Sequence, residues 1–340
     1  MAERAKTALI YAESDGAKTS QAIFIAKYVY KKYGKKTRLI SSDGGGWSPV
    51  EDEGLVYHPK TNPDGIIYTF NMTNRKLYLA EWRKLSRGDW PKVVKGEASL
   101  GEDPNKAYRK ILPSTAQEMN EIGAYFNEGL TSMSSGFLSH ISKQDNSKDS
   151  ISKVMYAAPG YDEDGEHFGA TDQGHVGMTQ NESYNLTQQF GTLPVNMMIW
   201  TALVGKCTEK SLRQIGLVTT EDNPVFGPKL AGNAKSAEAP SWFSDCIYLE
   251  AKVEKEVIET TDGEKLIEKK RIFAHFQRYK DSEGNTYLAK SSTGVSIFPR
   301  LIERFPGGCL ELGFREGEGI DKYFMTIDEL KNEIKTKEIK

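Results

Sequence analysis

The sequence lacks the features that mark several large classes of protein. Cysteine is scarce, with only three residues in 340 (Cys207, Cys246 and Cys309), and none has a neighbour at metal-ligand spacing. An odd, unpaired set argues against a disulfide framework and favours a reducing compartment, so we expect a cytoplasmic protein. No apolar run approaches the roughly 18 residues that a membrane span requires. The apolar run near the N-terminus is also too short for a secretory signal.

An excess of charge of one sign is missing as well. The 45 Lys and Arg residues almost balance the 47 Asp and Glu residues, which leaves a formal net charge of −2. This balance excludes a uniformly basic nucleic-acid binder, although a local basic groove needs only one positive face. With 38% apolar and 27% charged residues, the composition is that of an ordinary globular protein. The length accommodates one large domain with additions, or two modest domains.

The first 40 residues have the pattern of a strand, a loop, a helix and a second strand. Residues 7–11 form an apolar run, residues 19–33 an apolar helix that Gly34 ends, and residues 35–40 the next strand. This order predicts the βαβ unit of a parallel sheet. Further strands are predicted at residues 65–71, 122–127, 153–157 and 195–203, and a polar helix at residues 173–191. The polar stretches at residues 41–64, 86–105 and 142–153 are predicted to be loops, and a turn of small residues is predicted after Glu128.

The pattern changes after residue 245. Two predicted strands, residues 246–253 and 269–279, are joined across Thr261-Asp262-Gly263, a hairpin turn signal, and a third follows at residues 286–290. We therefore predict an α/β fold with a mostly parallel core in residues 1–250 and an antiparallel β extension in residues 251–325. Residues 326–340 are predicted to form a charged amphipathic helix that frays.

The turn after the first strand has the layout of a phosphate-binding loop. Such a loop carries glycine, four variable residues, a second glycine, then lysine and a hydroxyl residue. Its backbone N–H groups surround the phosphates, its lysine reaches the β and γ oxygens, and its hydroxyl holds Mg²⁺. Lys18 and Thr19 match the last two positions, and the following helix N-terminus favours phosphate. The residues predicted to bind ATP are Glu13, Ser14, Asp15, Gly16, Ala17, Lys18, Thr19 and Ser20. The alternative is a plain strand–turn–helix with a surface lysine.

Glycine is absent from both of the positions where this loop usually carries it, which here hold Ala12 and Ala17. Alanine at position 12 costs little if its backbone angles are ordinary. We expect Ala17, directly before the helix, to have near-helical angles, and Gly16 to take the positive-φ conformation that glycine allows.

Two later strand ends carry polar residues that suit a nucleotide site. Glu128 follows the apolar run at residues 122–127, where a carboxylate can hold Mg²⁺ through water. Thr201 lies toward the end of the strand at residues 195–203, where it can contact the γ-phosphate. Ligands of open α/β sheets bind at the carboxyl ends of the strands, so the loop, Glu128 and Thr201 are predicted to meet. The alternative for Glu128 is an acid that caps an ordinary loop.

Taken in order, these segments resemble the phage-encoded RecA-like ATPases, including the Sak4-type single-strand annealing proteins and related phage nucleotide-binding proteins. The resemblance rests on the loop at residues 12–19 and on Asn127-Glu128-Gly129-Leu130-Thr131, with support from residues 168–174, 200–202 and 227–232. It implies a RecA-like core that binds ATP and Mg²⁺, forms a ring or filament, and acts on single-stranded DNA in phage recombination or replication. The protein would then work in the host cytoplasm.

The resemblance also implies a basic residue supplied by a neighbouring subunit, as an arginine finger is. Lys229, Lys290 and Arg300 are the candidates, and Lys229 is favoured because it lies in a glycine-flanked turn. The predicted catalytic residues are therefore Lys18, Glu128, Thr201 and Lys229, and the predicted metal-binding residues are Thr19 and Glu128.

For a DNA contact, the basic and aromatic residues 82–92 are the candidate loop, with a solvated basic surface as the alternative. Two other functions stay open. One is a nucleotide-binding assembly protein with negligible turnover, and the other is a structural or interaction protein with an empty site.

Overall fold

The computed structural model describes residues 5–42, 47–72, 78–93, 109–146, 160–161, 167–168, 173–218, 223–231, 235–260 and 263–338. In these ranges the strands are β1 Lys6–Ala12, β2 Lys36–Ser41, β3 Ile67–Asn71, β4 Trp90–Val93, β5 Arg109–Leu112, β6 Ile122–Glu128, β7 Gly160–Tyr161, β8 His167–Phe168, β9 Met197–Lys206, β10 Val225–Pro228, β11 Asp245–Thr260, β12 Gly263–His275, β13 Tyr279–Lys280, β14 Thr286–Tyr287 and β15 Cys309–Leu312. The helices are α1 Gln21–Tyr33, α2 Ser48–Asp52, α3 Tyr78–Leu85, α4 Ala116–Asn120, α5 Leu130–Asn146, α6 Gln173–Phe190, α7 Glu209–Gln214, α8 Phe298–Arg304 and α9 Asp321–Glu338.

One large sheet organises the chain. Its neighbouring strands follow the order β3-β2-β6-β9-β1-β11, and every pair in that series is parallel. Beyond β11 the sheet continues with β12 and β15, both antiparallel to the strand before them. Strand β10 pairs antiparallel with the end of β9. The predicted α/β fold, with a mostly parallel core and an antiparallel β extension, is confirmed.

Strand β1 lies in the interior of the sheet, between β9 and β11. Its residues 8–12 are completely buried, which explains why the sequence there is a continuous apolar run rather than an alternating one. Ala8, Ile10 and Ala12 face a core shared with α1 and α9, whereas Leu9 and Tyr11 face a second core on the opposite side. Helices on both sides therefore hold the strand that leads into the loop.

The C-terminal helix α9 is longer and more firmly packed than the sequence predicted. It begins at Asp321 rather than at residue 326, and Tyr323, Phe324, Ile327 and Leu330 are buried in the core that contains α1. Asp328 accepts hydrogen bonds from Lys6 at 2.9 Å and from Tyr28 and Lys32. The predicted range began too late because it omitted the aromatic residues of the first turn, and fraying of the helix stays a prediction.

Three stretches predicted as loops contain regular structure. Helix α2 lies within residues 41–64, strand β4 within residues 86–105, and the end of α5 within residues 142–153. The sequence missed α5 because its serines favour turns. Burial of Leu130, Met133 and Phe137 stabilises it as a helix. The strand predicted at residues 153–157 lies outside the described residues, and the predicted boundary at residue 250 falls within β11.

No helix in the described part of the chain is long and apolar enough to cross a lipid bilayer.

Candidate functional site

The loop between β1 and α1 opens into a cavity of about 750 Å³. The cavity lies at the carboxyl ends of neighbouring parallel strands, the edge of an α/β sheet where ligands bind. From the loop it is lined by Ser14, Asp15, Ala17, Lys18, Thr19 and Ser20, and from elsewhere by Pro49, Glu128, Leu203, Lys270, Ile272 and Phe314. Of the predicted loop residues, Glu13 is exposed and Gly16 is buried, and neither lines the cavity.

The loop backbone departs from the prediction at its two small residues. Ala17 has a φ of 57° and is the one non-glycine residue with positive φ in the described part of the chain. Gly16 does not have positive φ, but a Cβ there would lie 2.3 Å from the Cβ of Ala12. Glycine at position 16 is therefore required by close packing against Ala12. The left-handed turn that starts the helix falls one residue later, on an alanine.

Lys18 is folded back over the end of β1. Its Nζ donates hydrogen bonds to the carbonyls of Glu13 at 2.6 Å and Ala12 at 3.3 Å. The lysine thus lies across the turn, with its charged end near the backbone of the loop. Helix α1 begins at Gln21 rather than Thr19, because Lys18, Thr19 and Ser20 form the preceding turn.

Thr19 and Glu128 meet across the cavity. Thr19 Oγ1 donates a hydrogen bond to Glu128 Oε1, which joins the loop to the end of β6. Ser42 holds the turn after Glu128, since its Oγ donates to the carbonyls of Glu128 at 2.9 Å and Gly129 at 2.8 Å. Two oxygen-bearing side chains therefore come together beside Lys18, in the place where the sequence predicted a metal site.

Thr201 supports this turn from strand β9. It is 1% exposed, and its Oγ1 accepts a hydrogen bond from the backbone N–H of Gly129 at 3.0 Å. It is not among the residues that line the cavity. Its position makes Thr201 a residue that positions the end of β6, and a direct phosphate contact stays a prediction.

Lys229 follows β10 and is anchored by its backbone close to the same edge. Its N–H donates to the Leu203 carbonyl at 2.7 Å, and its carbonyl accepts from Thr131 Oγ1 at 2.8 Å. Its side chain is exposed. The two other basic candidates, Lys290 and Arg300, are half-buried and do not line the cavity, and a role in trans for any of the three stays a prediction.

The C-terminal hairpin contributes residues that the sequence analysis missed. Lys270 of β12 lines the cavity and donates a hydrogen bond to the carbonyl of Asp15 in the loop. Phe314, which follows β15, lies at the rim and is 72% exposed. A lysine among the many charges of β12 carries no signal of its own. Phe314 carries no sequence signal either, because its exposure is visible only in the structure.

The segment at residues 82–92 is not the exposed loop that a DNA contact would need. Trp82 lies in α3, is completely buried, and stacks on Trp200 with ring centroids 5.7 Å apart. Arg83 forms an ion pair with Glu182 at 2.7 Å. The prediction of a loop here was wrong, and Trp82 is unavailable for stacking on a base.

Comparisons with known proteins add little to this geometry. No protein-family model matches the sequence, and no curated protein matches it. Among solved structures, the chain is similar to a KaiC-like protein from the hyperthermophilic archaeon Pyrococcus horikoshii OT3, with 10% identity and a TM-score of 0.35. The similarity covers 84% of this chain and 89% of that one. Because this TM-score is low, the assignment of the fold rests on the strand order.

Proposed function

We propose that the chain is a RecA-like ATP-binding protein whose nucleotide phosphates occupy the cavity beside the loop. The observation that carries the proposal is the convergence of Lys18, Thr19, Glu128 and Lys270 on one cavity at the carboxyl edge of the sheet. Two lysines can neutralise the phosphates, one from the loop and one from β12. An exposed aromatic ring at the rim, Phe314, suits a stacked base.

The oxygen atoms of Thr19 and Glu128 suit Mg²⁺, which prefers oxygen ligands and usually keeps several waters. Thr19 would hold the ion directly and Glu128 through water. When bound, the ion would neutralise charge on the β- and γ-phosphates. The hydroxyl of Thr19 now donates its hydrogen to Glu128, which leaves the lone pairs of its oxygen for the ion.

The loop backbone favours a second candidate function, a nucleotide-binding protein with negligible turnover. Ala17, with its positive φ, has a conformation that alanine adopts only at a cost. Binding without efficient hydrolysis is the expected result if this conformation persists in the complex.

Calorimetric titration with ATP, with and without Mg²⁺, tests the proposal. Lys18→Ala should weaken binding by about tenfold or more, since charge-assisted hydrogen bonds contribute roughly 1.5–3 kcal/mol each. Lys84→Ala, an exposed lysine on α3 outside the cavity, is the matched control and should bind as the parent does. Equal ATP affinity for a folded Lys18→Ala protein would exclude this loop as the site.

Steady-state release of phosphate separates the two candidate functions. If the chain is an ATPase, Glu128→Gln should depress turnover while leaving ATP binding largely unchanged. Undiminished phosphate release by Glu128→Gln would remove Glu128 from the mechanism. A parent protein that binds ATP and releases no phosphate would establish the low-turnover alternative.

The same proposal includes four properties that the sequence resemblance alone supports. They are assembly into a ring or filament, action on single-stranded DNA, a phage origin and a cytoplasmic location. Light scattering with ATP and single-stranded DNA tests assembly. Mixing Lys229→Ala with Lys18→Ala protein should restore activity if Lys229 acts across subunits, because one mixed interface would be intact. A persistent monomer and no complementation would reject assembly. Binding of DNA that contacts phosphates should fall steeply with salt.

A further inference from the structure

A second cavity, of about 590 Å³, lies beside the edge strand β3 and shares no lining residue with the first. Its volume is in the range of small-molecule sites, about 300–1,000 Å³. Aromatic side chains form much of its wall, contributed by Trp47, Tyr57, Tyr68 and Trp90. Polar groups are interspersed among them, which is the composition of a specific site rather than of a packing defect.

Arg38 gives this cavity its distinctive charge. It lies on β2, is 4% exposed, and lines the cavity. Its Nη1 donates to the Gly88 carbonyl at 2.9 Å and to the Tyr125 hydroxyl at 2.6 Å, and its Nη2 donates to Ser114 Oγ at 3.0 Å. A guanidinium has five N–H donors, so Nε–H and one Nη2–H remain. Nε is buried without an acceptor among the described residues.

The acidic residues of this cavity are engaged elsewhere. Glu118 pairs with Lys92 at 2.8 Å, and Glu51 accepts a hydrogen bond from the Trp47 indole at 2.9 Å. In the described part of the chain, all the hydrogen-bond partners of Arg38 are uncharged. Glu51 is exposed to solvent, so the positive charge of Arg38 is the charge that is buried among the lining residues. A buried charge is costly unless it is paired, and an anion in the cavity would neutralise it.

The aromatic walls specify the shape of that anion. The Trp90 ring lies against the guanidinium, 4.6 Å from Arg38 Cζ to the ring centroid. Tyr57 and Tyr68 form a second aromatic pair, with centroids 4.7 Å apart. Rings of this kind favour flat ligands, which stack or meet them edge to face.

We propose that this cavity binds a small planar anion, an aromatic ring that carries one carboxylate or phosphate group. Arg38 holds the anionic group, and the ring packs against Trp90 and Tyr68. The guanidinium edge formed by Nε and Nη2 is the one that meets such oxygens with two hydrogen bonds. The proposal is independent of the nucleotide site, because the two cavities have different residues.

Matched pairs of ligands test the proposal on the parent protein. The probes are indole-3-carboxylate, naphthalene-2-carboxylate and phenyl phosphate, compared with indole-3-carboxamide, naphthalene-2-carboxamide and phenol, by calorimetry and saturation-transfer NMR. At least one anion should bind with a Kd below about 1 mM and about tenfold or more tighter than its neutral partner, as a charge-assisted contact requires. Binding should persist in Lys18→Ala and in the presence of ATP.

Variants then locate the bound probe. Arg38→Lys keeps the positive charge but loses the paired donors of the guanidinium, and Trp90→Leu removes the aromatic ring. Each substitution should weaken binding of the anion by about fivefold or more. Trp242→Leu, a half-buried tryptophan outside both cavities, is the control and should bind as the parent does. Three results would overturn the proposal: no probe binds the parent below about 1 mM, the neutral partner binds equally well, or Lys18→Ala abolishes binding.

Discussion

Replacing Ala17 by glycine tests whether the loop carries backbone strain. The left-handed conformation costs an L-residue about 1–2 kcal/mol, and Ala17 has a φ of 57°. Glycine removes this cost but adds about 0.4–1 kcal/mol of entropy to the unfolded chain. Ala17→Gly should therefore leave the protein between about 0 and 1.5 kcal/mol more stable, measured by urea unfolding with the slopes compared. The affinity for ATP and the rate of phosphate release should be unchanged or higher.

Two further substitutions make this test specific. Ala289→Gly, at another half-buried alanine that packs against a core and has no positive φ, should lose about 0.5–1 kcal/mol or more, because glycine adds unfolded-state entropy and relieves no strain there. Gly16→Ala should lose more than that, since the new Cβ would meet Ala12 Cβ at 2.3 Å. If Ala17→Gly loses as much stability as Ala289→Gly, the left-handed conformation at Ala17 is refuted.

Three other predictions concern Lys270, Asp328 and His275. Lys270→Gln should weaken the binding of ATP by about three- to tenfold and the binding of ADP by less. Lys269→Gln, at the exposed neighbouring residue, is the control. Equal losses of affinity for ATP and ADP would place Lys270 away from the terminal phosphate. Asp328→Asn should lower the free energy of unfolding, measured in urea, by about 1–3 kcal/mol. Glu333→Gln, at an exposed ion pair, should lower it by about 0.5 kcal/mol or less. Equal losses would show that Asp328 does not hold α9 in place. Burial lowers the pKa of His275 in the folded protein. Below about pH 6.5 the unfolded chain therefore binds a proton at this residue more readily than the folded chain does. The free energy of unfolding should fall as the pH drops from about 6.5 toward the folded pKa. His275→Gln should reduce that slope, and an unchanged slope would assign it to other groups.

The parallel core could be predicted because its strands are buried on both faces. Their apolar runs, bounded by small turn residues, identify β1, β6 and β9 without knowledge of tertiary contacts. The carboxyl ends of such strands share one edge, so the meeting of Thr19 and Glu128 followed from the strand order. Their roles toward a nucleotide stay a prediction.

The parts that could not be predicted depend on distant partners. The turn of the hairpin sets the register of β11 and β12, with Leu249 opposite Ala274. Lys270 reaches the loop only because β11 also pairs with β1, and nothing local in the sequence encodes that pairing. Positive φ was predicted at Gly16 but occurs at Ala17. The sequence could not show this, because Gly16 must be glycine for a different reason, its close contact with the Cβ of Ala12. Helix α5 depends on burial rather than on propensity, so its serines pointed to a turn.

The position of β1 has a consequence for how the chain folds during synthesis. The neighbours of β1 are β9 and β11, so its residue Ala8 pairs with Ile199 on one side and Asp245 on the other. Nascent chains emerge from the N-terminus, and pairings between such distant segments form slowly. This apolar strand therefore waits, unpaired, while the chain between β1 and β9 is still being made. Chaperones that shield exposed apolar segments would have their longest opportunity at this strand, and the adjacent loop would be among the last parts of the fold to mature.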